Sequence, residues 1–229
     1  MGKETNIIFF GAPGAGKGTQ AKKISQSLSL IHIDTGSLIR EAITNKTTLG
    51  IKAKEFVETG KLVPDELVIA LIKEKLTGLK KKDFKGFVLD GYPRTIIQAE
   101  ALEKMLEEMG IKLTCVINIK VNEPLLITRL SSRRLCSNKN CGEIYNLITK
   151  PPKVTNKCDS CGTDLYQRKD DTEEAVKQRL NEYNNKTAPL EKYYRSQNNL
   201  VDINGAGSPD EVYNEIINKV AGNNSCALN

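Results

Sequence analysis

No stretch of this 229-residue chain approaches the roughly 20 consecutive apolar residues that span a bilayer, so no membrane partner is expected. The first apolar run, Ile7 to Phe10, is too short and wrongly flanked for a secretory signal, and a cytoplasmic location is expected. Histidine occurs once, as His32 inside a strand-like run, which reads as a packed side chain and not as a phosphocarrier. Arginine is rationed: of 34 basic residues only eight are Arg, so the surface is made basic with lysine. There is no internal repeat, and no low-complexity tract apart from an Asn-rich end after Ala221.

What is present suits one buried core, at 39 % hydrophobic residues, with room for a small insertion. The net charge of +6 is spread along the chain among carboxylates, which fits nucleotide polyphosphates better than a nucleic-acid groove. The one dense run, Lys80-Lys81-Lys82, reads as a solvated loop. Cys226 stands four from the end, but the terminal Asn229 is atypical of a prenylation signal. Strand-like runs at Asn6–Phe10, Ile31–Ile33, Gly86–Leu89, Cys115–Ile119 and Leu200–Ile203 alternate with helical patterns at Glu66–Leu79, Gln98–Met109, Glu123–Leu135, Glu173–Tyr194 and Asp210–Val220. That alternation predicts an α/β fold with a parallel five-stranded sheet and helices on both faces. The stretch from Cys136 to about Arg168 breaks the rhythm and reads as an insertion.

The first strand runs into Gly11-Ala12-Pro13-Gly14-Ala15-Gly16-Lys17-Gly18-Thr19 and a helical pattern follows. Glycines there let backbone N–H groups converge on phosphate oxygens, and Lys17 reaches the outer phosphates. Gly18 stands where Ser or Thr usually follows the lysine, and Thr19 comes one later. At the end of the third strand, Asp90 faces this loop and can order a magnesium-bound water. Cys136-x4-Cys141 and Cys158-x2-Cys161 have spacings that suit one tetrahedral zinc of structural role, with an iron cluster or a redox site as alternatives. Asn156-Lys157-Cys158-Asp159 matches the guanine-reading string of regulatory GTPases, but it uses a zinc-ligand candidate and follows no core strand. The insertion also lacks the interleaved aromatics and basic clustering of a nucleic-acid-binding ribbon.

Gly11 to Gln20 resembles the phosphate loop of adenylate kinases, and the resemblance continues to about Val220. It implies a P-loop NTPase-type core of residues 1–33, 64–131 and 172–229, a helical AMP-binding segment of residues 34–63, and a zinc-binding lid of residues 132–171. It further implies reversible phosphoryl transfer between MgATP and AMP, giving two ADP; with no large apolar helix face left over, a monomer is expected, and the dispersed charge argues for no nucleic-acid partner. On this resemblance, ATP falls to Gly14, Ala15, Gly16, Lys17, Gly18, Thr19, Arg129, Arg133, Ile144, Tyr145 and Gly207. AMP falls to Thr35, Gly36, Arg40, Lys61, Leu62, Val63, Gly91, Tyr92, Pro93, Arg94, Gln98, Arg168 and Arg179, with Thr35 and Gln98 on the adenine.

Lys17, Asp90, Arg94, Arg129, Arg133, Arg168 and Arg179 are the expected catalytic set. Six of the eight arginines thus sit on phosphate-binding positions of the family, where a planar fork grips phosphate as lysine cannot. Ser37 replaces the usual Asp of the family, shifting carboxylate work onto Asp90. Asp170 and Asp171 match an acidic pair at the rear hinge of the lid, and Tyr145 a lid position beside the nucleotide. A GTP-using AMP kinase is the nearest alternative, because the donor base is read through main chain near Gly205-Ala206-Gly207.

Overall fold

The computed structural model describes residues 4–79, 84–138 and 140–222; the lysine run at 80–82 and the tail carrying Cys226 lie outside the described residues. In chain order the elements begin β1 (Thr5–Phe10), α1 (Lys17–Leu28), β2 (Ile31–Asp34), α2 (Thr35–Thr44), α3 (Thr48–Glu58) and α4 (Asp65–Thr77). There follow β3 (Gly86–Asp90), α5 (Ile96–Glu108), β4 (Cys115–Lys120), α6 (Glu123–Ser131), β5 (Arg133–Cys136), β6 (Ile144–Asn146) and β7 (Leu165–Tyr166). The chain closes with α7 (Glu173–Glu182), α8 (Leu190–Ser196), β8 (Leu200–Asn204) and α9 (Pro209–Gly222).

The main sheet has five strands in the order β2-β3-β1-β4-β8, all parallel. Every residue of β1 is buried, as a central strand covered on both faces requires. On one face Ile7, Phe9, Val88, Ile117 and Ile203 pack with Ile24, Val176 and Ile216. On the other, Ile8, Phe10, Phe87 and Leu89 pack with Ile72, Leu76 and Leu102. Each such fully buried side chain contributes about 1.5–3 kcal/mol. After β1 the chain builds one side of the sheet, β2 and β3, and then crosses to build β4 and β8. The strand order therefore reverses at the carboxyl end of β1, where α/β sheets open a crevice.

Two helical expectations are corrected. The pattern at Glu123–Leu135 stops at Ser131, and Arg133 to Cys136 become a strand, because β5 pairs antiparallel with both β6 and β7 in a separate three-stranded sheet. The pattern at Glu173–Tyr194 is broken by a π-helical turn, Tyr183–Thr187, and by Pro189, which cannot supply the N–H a continuing helix needs. The two ends of the inserted sheet lie side by side: Gln167 Nε2 donates to Ser131 O at 3.2 Å and to Asp171 O at 2.8 Å.

Candidate active site

β1 ends in a loop whose glycines are required sterically. Gly11, Gly14 and Gly16 have φ of 137°, 83° and 99°, and a Cβ on Gly11 would lie 2.5 Å from Ile119 O. Lys17 opens α1 and turns back over this loop, donating from Nζ to Gly11 O at 2.7 Å and Ala12 O at 2.9 Å. Burial lowers its pKa to about 8; Asp90 opposes the shift, while Arg94, Arg179 and Arg133 add to it. Gly18, the departure from the usual loop, has a physical reason: a Cβ there would stand 3.0 Å from Asp90 Oδ2. Glycine lets the carboxylate that ends β3 reach the start of α1. Asp90 is buried, lies in register with Asp34 on β2, and stands 3.8 Å from His32 Nε2.

Beside this loop a pocket is lined by most of the expected acceptor residues: Thr35, Gly36, Arg40, Lys61, Leu62, Val63, Gly91, Arg94, Gln98, Arg168 and Arg179. Ile39, Val57, Gly60, Val68 and Asp170 line it as well. Of the apolar ones, Val68 lies on the helix expected over Glu66–Leu79, while Ile39 and Val57 lie on α2 and α3, whose bounds within the helical segment of residues 34–63 were not set from sequence. Tyr92 and Pro93 are instead buried behind the wall, where Tyr92 Oη donates to Gln98 O at 3.1 Å. Thr35 Oγ1 is buried in the pocket wall and makes no hydrogen bond among the described residues.

Asp34 caps α2, accepting from Ser37 N at 3.1 Å. Ser37 Oγ is also hydrogen-bonded to Asp34 Oδ2 and accepts from Arg40 Nη2 at 3.0 Å, while Arg40 stands 3.7 Å from Asp34. Burial pushes the Asp34 carboxyl up, but Arg40 and the two Ser37 contacts outweigh it and hold it below the usual value. The carboxylate expected to be lost at Ser37 thus stands three residues earlier, and Ser37 links it to the guanidinium. Burial, and then the nearby Arg168, lower the pKa of Arg40 to about 10; Arg179 falls to about 10, again through burial first. Arg94 is also lowered by burial, and its Nε donates to Gly91 O at 2.8 Å. Cations crowded out of water in this way favour a polyanion between them.

The lid-side arginines are set by two buried carboxylates. Arg133 grips Asp171 in a fork, at 2.8 and 2.6 Å, and Arg168 grips Asp170 at 3.0 Å through each of two nitrogens. Arg179 donates to Asp170 O and to Asp171 Oδ1, both at 2.9 Å. Asp171 is wholly buried.

Four expected donor residues, Arg129, Ile144, Tyr145 and Gly207, stand outside the pocket just described. Arg129 donates to Gly205 O at 2.8 Å and Ala206 O at 3.3 Å, and Gly205 itself lies against Ala15 of the phosphate loop. Tyr145 is buried in the lid, where its hydroxyl accepts from Asp159 N at 2.7 Å and lies 3.5 Å from Cys158 Sγ, so only its backbone is left for a nucleotide. Gly207 is exposed beyond β8, and Ile144 is exposed on the lid.

The sulfurs of Cys136, Cys141, Cys158 and Cys161 all lie within 4.8 Å of one another. Cys136 and Cys161 are 3.4 Å apart and Cys141 and Cys158 3.7 Å; a tetrahedron of 2.3 Å zinc–sulfur bonds has edges of about 3.8 Å.

A family model described as adenylate kinase matches residues 9–199. The chain is 50 % identical over 212 residues to an adenylate kinase of Archaeoglobus fulgidus, covering 92 % of this chain and 95 % of that one. It is 47 % identical over 213 residues to that of Thermosipho melanesiensis, with 93 % and 98 % covered. Against that of Carboxydothermus hydrogenoformans it is 50 % identical over 212 residues, with 93 % and 97 % covered.

Proposed function

The chain belongs to the adenylate kinase family, and from that premise we propose that this site carries out reversible phosphoryl transfer from MgATP to AMP, giving two ADP. The observation that carries the reading is the convergence of Arg40, Arg94, Arg168 and Arg179 around a pocket that also holds Thr35 and Gln98, with Lys17 buried close enough for Arg94 and Arg179 to lower its pKa. ATP, AMP and ADP are its substrates. Transfer of a phosphoryl group through a loose transition state asks the protein for positioning and charge, and for no covalent nucleophile.

The backbone N–H groups from Gly14 to Thr19 and the Lys17 ammonium hold the donor phosphates, with Asp90 placed to orient the water shell of the magnesium that arrives with ATP. Arg40 and Arg94 hold the acceptor phosphate, while Lys61, Leu62 and Val63 lay the acceptor segment along the base. Arg133, Arg168 and Arg179 stabilise the charge on the equatorial oxygens. Ring-like placement of fixed cations in a site closed to water lowers the barrier by about 8 kcal/mol or more. Arg129 serves the donor site, where it also braces the Gly205-Ala206 loop.

We read the chain as three parts: a core of residues 1–33, 64–131 and 172–229, an acceptor segment of residues 34–63, and a lid of residues 132–171. Cys136, Cys141, Cys158 and Cys161 would hold a structural zinc, which supplies cross-linking to a lid whose apolar cluster, among the described residues, is Tyr145 and Leu165 with Cys136, Cys141 and Cys158. The lid must swing aside to admit nucleotide and close to exclude water. No helix among the described residues is long and apolar enough to cross a membrane, and a cytoplasmic monomer without nucleic-acid partners is the reading we adopt.

The test is to mix protein and magnesium with ATP or GTP and with AMP, CMP, UMP or GMP, and to quantify diphosphates. Fast ADP formation from ATP and AMP alone is expected. Preference for GTP would move the donor assignment, and hydrolysis without transfer would overturn the kinase reading.

A further inference from the structure

Gln98 is 1 % exposed in the first turn of α5, and its side-chain amide is held from both ends. The main-chain N–H of Arg94 donates to Oε1 at 2.8 Å, and Nε2 donates to Asp65 Oδ1, also at 2.8 Å. Asp65 is the first residue of α4. Its Oδ1 also accepts from Thr95 Oγ1 at 3.1 Å, and Thr95 caps α5 by accepting from Gln98 N at 3.2 Å. A main-chain N–H can only donate and a carboxylate can only accept, so these two partners permit a single orientation of the amide. Turned over, Nε2 would meet an N–H and Oε1 a carboxylate, and two buried hydrogen bonds would become two repulsions.

In the permitted orientation Gln98 has one Oε1 lone pair and one Nε2 hydrogen left over, side by side at the pocket wall. That pair complements adenine, whose N6 amino group donates while N1 accepts. Guanine presents the reverse, an O6 acceptor beside an N1–H donor, and would need the amide turned over. We propose that Asp65 is a specificity-determining positioning residue: with the Arg94 N–H it locks the Gln98 amide in the sense that takes AMP and refuses GMP. The inference rests on the reading of Gln98 as the contact to the acceptor base. Asp65 need not touch nucleotide; it acts through the amide it orients.

The experiment compares kcat/KM for AMP and for GMP, at saturating MgATP, in the wild-type protein, Asp65→Asn and Gln98→Ala. Asparagine has the shape of aspartate but can donate or accept, so one of the two locks is released. The AMP-to-GMP ratio of kcat/KM is expected to fall roughly tenfold in Asp65→Asn, the worth of about one fixed hydrogen bond. The change should appear in KM more than in kcat. A merely structural role would weaken both acceptors alike, and an unchanged ratio overturns the proposal. Gln98→Ala separates the two levels: if it collapses the ratio while Asp65→Asn keeps it, the lock alone is wrong. If Gln98→Ala also leaves the ratio at its wild-type value, the base contact is wrong and the proposal falls with it. Should Asp65→Asn fail to fold, Asp65→Ser, whose hydroxyl can also donate or accept, carries the same expectation.

Discussion

Lys17 bridges the carbonyls of Gly11 and Ala12 while facing three arginines, a place in which the ammonium is useful only when phosphate shares it. Lys17→Ala is therefore expected to abolish transfer while circular dichroism stays native, and activity within tenfold of wild type would refute the assignment. The lysine also sets a pH dependence. Its pKa in the folded, nucleotide-free protein is about 8 against an ordinary 10.5, so kcat/KM should decline above about pH 8 with one alkaline ionisation, read from a pH–rate profile. The effect on stability has the opposite sense. The unfolded chain keeps that proton to about pH 10.5, so the buried charge destabilises the fold at neutral pH and the penalty is relieved as pH rises between those values. At this scale the glycines of the phosphate loop were legible from sequence, because Gly11, Gly14 and Gly16 take positive φ. The partners of Tyr145 and Arg129 were not legible, since Asp159 N and the Gly205 and Ala206 carbonyls come from residues distant in sequence. Asp34 was visible in principle: it precedes Ser37 by the three residues of a helix cap.

The inserted sheet is the least self-sufficient element. Its strands have four, three and two residues, and its buried apolar side chains are few. Cys158 is 2 % exposed and neighbours both Cys141 and the Tyr145 hydroxyl. Cys158→Ser, or a strong chelator, is expected to lower Tm by several degrees while leaving the per-folded-molecule kcat within a few-fold. An unchanged melt in differential scanning calorimetry would refute a structural metal. The five core strands were legible because apolar runs such as Ile7–Phe10 and Cys115–Ile119 permit no other buried element of that length. The turn of chain from α6 into β5 was not: Arg133 to Cys136 continue a helical pattern, and only pairing with Ile144–Asn146 and Leu165–Tyr166 makes them a strand.

Across the whole molecule, the acceptor pocket draws its lining from stretches far apart in the chain: Thr35 and Arg40 on α2, Lys61 to Val63 before α4, Gly91 and Arg94 after β3, and Arg168 and Arg179 beyond the inserted sheet. Lys169 of the lid hinge also pairs with Glu58 of α3 at 2.9 Å. A second copy seated on the lid or on α2 and α3 would obstruct the closure proposed for the lid. Sedimentation velocity is expected to give a single species of about the 25.4 kDa chain mass, with or without nucleotide, and a stable dimer would contradict the monomer reading. The doorway at Gln167 has a consequence of another kind. Because one side chain ties Ser131 to Asp171, the inserted sheet leaves and rejoins the core at nearly one point. A lid of different length, or one stapled without cysteine, can be spliced between those two residues as a cassette, leaving the register of the parallel sheet untouched.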